Sequence, residues 1–347
     1  MLTWRILPEV VFSGLALAVL NGGAGAAVRP PVAPYEIQAE PSPNNRIDEL
    51  VFGQLERLGM EPANLCSDAV FVRRVYLDVI GTLPTAKQAS DFLANRSASK
   101  RQVLIDQLLE RDEFADYWAM KWSDLLRIKA EFPINLWPNA AQAYHRWVRN
   151  SLRESRPYDQ FARMMLTSSG SNFRVPQVNF YRAMQNREPR GVAQAVALTF
   201  MGARAERWPE ERQAAMAAFF AQIGYKQTSE WKEEIVLFDP GKTNGPGVAS
   251  VAAFPDGMPA RIGAGADPRQ VFADWLVDRK NPWFARALVN RAWYWLLGRG
   301  IIHEADDIRS DNPPANPELL SYLEQEFVTR HFDLKHIFRL ILNSRTY

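Results

Sequence analysis

Apolar residues return along most of the chain at the three- and four-residue spacing that lines one face of a helix. Ile47, Leu50, Val51, Leu55 and Leu58 make the first such run, and Gly59 closes it. Asp68 is placed to cap a second helix that runs to Ile80 and stops at Gly81. Thr85 and Ser99 begin two more, and residues 114–128, "FADYWAMKWSDLLRI", form a strongly aromatic helix. Further helices are predicted over 140–153, 158–166, 189–201 and 209–223, with Pro189 and Pro209 in the first turn and Gly224 as a C-cap. Near residue 232 the pattern changes. "EEIVLF" and "VASVAAF" read as short strands separated by the turn-rich "DPGKTNGPG". Helices then resume, each launched by a cap followed by proline: Asp267-Pro268, Asn281-Pro282 and Asn316-Pro317. The predicted fold is mainly α, a multi-helical two-part array with a small β/loop insertion between the parts. Its divisions are a helical domain over 45–231, a connector over 232–266 and a second helical part over 267–347.

The N-terminus differs from the rest. Arg5 precedes an apolar stretch over residues 10–20, and "NGGAGAA" follows with Ala24-Gly25-Ala26 at a cleavage-like position. The stretch is too short to span a bilayer, which needs about 20 residues. Residues 1–27 therefore read as a Sec-type signal peptide, and the Pro-rich residues 28–44 as an extended lead-in. The expected location is periplasmic or secreted, with no membrane span after signal removal. A formal charge of +2 among 41 basic and 39 acidic residues gives no reason to expect a nucleic-acid partner. Cys66 is the only cysteine, so neither an intramolecular disulfide nor a Cys-rich metal site can form.

Candidate chemistry is sparse. Gly241-Lys242-Thr243 resembles the end of a phosphate loop, but position 236 is Val where the earlier glycine belongs, so a turn is expected. "HEADDIRSDNPPANPELL" is the densest polar segment. His303, Glu304, Asp306 and Asp307 are cation-ligand types, yet their spacing matches no ligand loop, and no metal or cofactor site is assigned. Asp306, Asp307, Arg309 and Asn312 stand as the candidate polar cluster. Arg74 and Asp78 lie four apart on one helix face, the spacing of a structural ion pair. Phe114, Tyr117, Trp118, Trp122, Trp293 and Trp295 are of the type that stacks on sugars, with core packing as their ordinary use. The four histidines are scattered, and no nucleophile motif occurs.

Longer strings carry a family likeness. "CSDAVFVRRVYLDVIGTLPTAKQASDFL", "KRQVLIDQLLERDEFADYWAMKWSDLLRI" and "NFYRAMQNREPRGVAQAVALTFMGAR" resemble the planctomycete cytochrome C domain two. "ADWLVDRKNPWFARALVNRAWYWLLGRGIIHEADDIRSDNPPANPELLSYL" and "FDLKHIFRLILNSRTY" resemble planctomycete-specific domain one. Both are domains of unknown function. The resemblance implies an exported protein, often encoded beside degradative genes. Many relatives carry C-x-x-C-H between a G-x-R and an R-W. Here Gly202-Ala203-Arg204 runs almost directly into Arg207-Trp208, so the chain looks like a haem-lacking variant. The second domain is expected to be truncated at Tyr347, leaving the apolar face of "DLKHIFRLILNS" exposed. The expected function is a non-catalytic interaction or binding module of a cell-envelope degradative or redox system. Its partner would be a protein or a polysaccharide. The alternative is a hydrolase acting on polysaccharide or its sulfate esters, with Asp306, Asp307 and Arg309 at its centre.

Overall fold

A computed structural model describes residues 35–37, 41–134, 136–242, 245 and 247–347. The predicted signal peptide and most of the lead-in lie outside these residues. Among those described, fourteen α-helices surround one small sheet. The N-terminal array is α1 (Arg46–Arg57), α2 (Asp68–Ile80), α3 (Ala86–Ala94), α4 (Lys100–Leu109) and α5 (Asp112–Leu125). It continues with α6 (Pro138–Arg153), α7 (Tyr158–Thr167), α8 (Asn179–Arg182), α9 (Pro189–Val196) and α10 (Glu210–Ala217). After the connector come α11 (Pro268–Leu276), α12 (Phe284–Leu297), α13 (Pro317–Thr329) and α14 (Leu334–Leu342). None is long and apolar enough to cross a membrane.

Local chemistry sets most boundaries. Thr85 and Gln88 form a reciprocal capping box on α3. Asp267 and Asn316 cap α11 and α13 as their Asp-Pro and Asn-Pro pairs predict. Gly81 ends α2 in the left-handed region at φ 69°, and a Cβ there would enter the Tyr117 ring. Three caps are displaced. Asp68 is the first residue of α2, not its cap, because its carboxylate is drawn to Lys100 and Arg101 on α4. Pro209 precedes α10 rather than opening it. Asn281 caps the turn before α12, accepting from Trp283 N and Phe284 N at 3.0 Å each.

The sheet departs further from expectation. β1 (Gly170–Ser171), β2 (Ile223–Gln227) and β3 (Glu234–Phe238) lie in the order β1-β3-β2, all antiparallel. β3 is the predicted "EEIVLF" strand. As the central strand it needs partners on both edges for its backbone groups. It takes residues 223–227 on one side, so the helix predicted over 209–223 stops at Ala217 and Gly224 pairs with Leu237 instead of capping. "VASVAAF" is no strand. It makes one bridge, Ala253 to Pro259, and its backbone hangs on Ala214 O and Ala215 O at the end of α10.

The expected exposed face of α14 is buried. Ile337, Phe338 and Ile341 are at most 1% exposed, packed against α4, α12 and α13. Phe338 meets Trp118 at 4.5 Å between ring centroids. Phe114, Trp118, Trp122 and Trp293 are buried, with Tyr117 and Trp295 packed against them. Each such ring contributes roughly 1.5–3 kcal/mol by burial, so this aromatic series serves the core and not a sugar. The residues after α14 fold back on the first helices. Asp48 of α1 is fully buried and accepts from Arg345 N (2.9 Å), Thr346 N (2.9 Å) and Thr346 Oγ1 (2.8 Å).

Candidate functional site

The predicted polar cluster lies on the loop between α12 and α13. Asn290 of α12 shapes that loop, accepting from Ile302 N at 2.8 Å and donating to Ile302 O and Ala305 O at 3.0 and 3.1 Å. Asn312 closes its far side by donating to His303 O and Asp307 O, both at 3.0 Å. Asp306 faces Arg291, whose Nε is 3.0 Å away. Arg291 is buried and also donates to Thr199 O (3.0 Å) and Leu198 O (3.2 Å). Asp307 faces three guanidiniums: Arg309 Nε at 3.0 Å, Arg207 Nη1 at 3.2 Å and Arg204 Nε at 3.9 Å. Arg309 turns its other end to Asp311 at 3.0 Å.

Each carboxylate is thus turned onto arginine. An acid–base pair requires two carboxyl groups flanking a substrate gap, with at least one poised to exchange a proton. Here each carboxylate is taken up in ion pairs with arginine instead of facing such a gap. Two of these arginines, Arg204 and Arg207, come from the segment 202–208, the place to which the family resemblance points for a haem-binding loop. Gly202 O accepts from Ile308 N at 2.9 Å, and a Cβ on Gly202, at φ 58°, would press on Ile308 and Ala287. Covalent haem needs two thiols and an axial ligand. This segment holds neither Cys nor His, and the one thiol, Cys66, lies between α1 and α2 and faces Arg101, so the residues do not fit the group. Among the described residues no group of three His, Cys, Asp or Glu side chains is placed to hold a metal. The cluster is a junction that joins the α9–α10 region to the α12–α13 loop.

The Arg74–Asp78 pair, at 3.4 Å, does more than orient α2. Asp78 accepts from Tyr347 Oη at 2.8 Å, Arg74 donates to Tyr347 O, and the Arg74 guanidinium lies 4.0 Å from the centre of that ring. Nearby, burial works against ionisation of Asp68, but hydrogen bonds from Lys100 and Arg101 outweigh it and hold the carboxyl below its ordinary range. A depressed folded pKa stabilises above the unfolded value and fades as pH falls through the folded one. The melting-temperature gap between the wild type and Asp68→Asn is therefore expected to be widest near neutrality and to close as pH falls below the ordinary aspartate range. Calorimetry across that range checks it.

The exposed aromatics are different ones. Backbone bonds from Leu136 N to Lys129 O (3.2 Å) and Trp137 N to Ala130 O (3.1 Å) close a loop before α6. Phe132 sits at its tip, 83% exposed. Beside the loop rises the tip of the β2–β3 hairpin, tied by Thr228 Oγ1 to Glu233 Oε2 at 2.8 Å. Trp231 at that tip is 70% exposed, and its ring centroid is 5.4 Å from that of Trp137. Lys232 Nζ sits 4.2 Å from the Trp137 centroid and 5.3 Å from the Trp231 centroid. Trp137 and Lys232 both hold positive φ, 67° and 62°, a backbone state that costs about 1–3 kcal/mol in a non-glycine residue.

The hairpin rests on a buried charge cluster that its sequence spacing does not reveal. Glu234 accepts from Arg182 Nε (2.8 Å), Arg187 Nη1 (3.1 Å) and Gln227 Nε2 (2.9 Å). Its backbone N donates to Asn172 Oδ1 at 3.0 Å, and Asn172 Nδ2 donates to Lys232 O at 3.2 Å. Thus the exposed tip is bolted to the interior through Asn172.

A family model described as PSCyt2, a protein of unknown function (DUF1549), matches residues 46–226. A second, PSD1, also of unknown function (DUF1553), matches residues 268–347. The first spans more than half of the chain, and the chain belongs to the PSCyt2 family, with a PSD1 region following. No curated protein and no solved structure matches it. The Asp307 ion pairs and the Arg291–Thr199 contact therefore join the two matched regions.

Proposed function

We propose that this chain is an exported, non-catalytic binding module that holds polysaccharide at the cell envelope through Phe132, Trp137 and Trp231. The observation that carries it is the exposed aromatic platform, held by left-handed backbone at Trp137 and Lys232. A flat apolar ring is suited to the axial C–H face of a pyranose, and a rigid ring loses little entropy when it binds. Flanking Glu131, Glu230 and Lys232 supply acceptors and a donor for hydroxyl groups. Export rests on the N-terminal sequence pattern.

Affinity electrophoresis through gels containing hydroxyethylcellulose, xylan, mannan or carrageenan tests the polysaccharide reading. Retardation by at least one polymer is expected, and Trp231→Ala should weaken it about tenfold, or ~1.4 kcal/mol. Free mobility in every gel, or equal retardation of the variant, overturns it.

A further inference from the structure

An open cleft of about 690 Å³, sharing no lining residue with the aromatic platform, lies between α1, α2, the start of α4 and the residues after α14. Its size falls within the 300–1,000 Å³ range usual for small-molecule sites. One wall is apolar: Val51, Phe52, Leu55, Phe71 and Ile105. Around it stand four cations, Arg74, Lys100, Arg101 and Arg345, against one lining carboxylate, Asp68, and Asp78, which pairs with Arg74. The Asp68 carboxylate is shared, with Lys100 Nζ at 2.7 Å and Arg101 Nη2 at 2.8 Å.

The two central guanidiniums are braced. Arg101 lies 4.6 Å from the Phe71 ring centre and donates to Cys66 O at 2.8 Å. Arg74 lies 4.0 Å from the Tyr347 ring centre. Side chains already fixed on aromatic faces have little freedom left to lose when an anion arrives. Cation excess beside an apolar wall selects for two properties together: a negative group and a hydrocarbon body. A neutral hydrocarbon would leave the cations without new partners, and a bare inorganic anion would leave the wall wet.

From this we infer that the cleft binds an organic anion with an apolar body, its carboxylate or sulfonate set against Arg101 and Lys100 and its hydrocarbon along Val51, Leu55 and Phe71. The site is separate from the aromatic platform and does not depend on the polysaccharide reading. Cys66, the only thiol of the chain, lines the cleft and reports its occupancy.

Titration of the full chain with 1-anilinonaphthalene-8-sulfonate, followed by fluorescence, tests the inference. Saturable binding is expected, displaced by decanoate at least about tenfold more effectively than by decanol, a difference of ~1.4 kcal/mol for the charge. Decanoate should also slow alkylation of Cys66 by iodoacetamide, and decanol should slow it less. Arg101→Gln should raise the dissociation constant about tenfold with an unchanged circular dichroism spectrum. Equal displacement by decanol and decanoate, or no protection of Cys66, overturns the inference. Should Arg101→Gln fail to fold, Lys100→Gln replaces it, and the charge comparison on the wild type decides alone.

Discussion

Replacing Arg291 by alanine is expected to lower the melting temperature by on the order of 10 °C, from a loss of ~3–5 kcal/mol at about 2–4 °C per kcal/mol. Arg291 is 2% exposed and is the shared partner of Asp306, Thr199 O and Leu198 O. Truncation leaves two backbone carbonyls without their donor inside the π-turn Ala197–Met201, at the point where the two family regions meet. Asp306 is a third exposed and can be rehydrated, so the larger share of the loss falls on the buried carbonyls. Adding Asp306→Leu to Arg291→Met should recover part of the loss, since removing both charges is gentler than stranding one. Scanning calorimetry of the wild type, both single variants and the pair provides the full cycle. An Arg291→Ala midpoint within 2 °C of the wild type, under about 1 kcal/mol, would show that the junction is dispensable.

The second large effect belongs to Glu234→Gln. The carboxylate is 7% exposed and compensates Arg182, itself 6% exposed, together with Arg187. Burial already pulls the Arg182 pKa down, with Glu234 opposing it. An amide of the same shape keeps the volume but leaves the guanidiniums with no buried counter-charge. The expected loss is again ~3–5 kcal/mol. It has a second readout, because Glu234 N and Asn172 support the backbone of Lys232. Amide hydrogen exchange across residues 228–233 should quicken below the temperature at which the whole protein melts. A variant that melts early with unaltered exchange there would separate the ion pair from the platform.

The helical framework was legible because it depends on local spacing. Caps at Thr85, Asp267 and Asn316, and stops at Gly59 and Gly81, act within one turn of chain. The sheet was harder, since β2 exists only because β3 needs a neighbour, and 223–227 otherwise extends a helical pattern. Long-range pairing also decided the site. Arg309 was the one counter-ion visible beside Asp306 and Asp307, because Arg207 lies 100 residues before Asp307 and Arg291 sits 15 before Asp306, on another element. The exposed tryptophans did leave a trace. Trp231 in "TSEWKEE" is flanked by three polar residues on each side, which is the setting of a turn and not of a core-facing run.

The fold-back onto α1 and α2 bears on the order in which the molecule is made. Asp48 meets Thr346 across 298 residues, Asn44 meets Asn343 across 299, and Tyr347 meets Asp78 across 269. Contacts of such span slow folding, and a growing chain emerges N-terminus first. The first array therefore remains without its closing contacts until residues 343–347 have been synthesised.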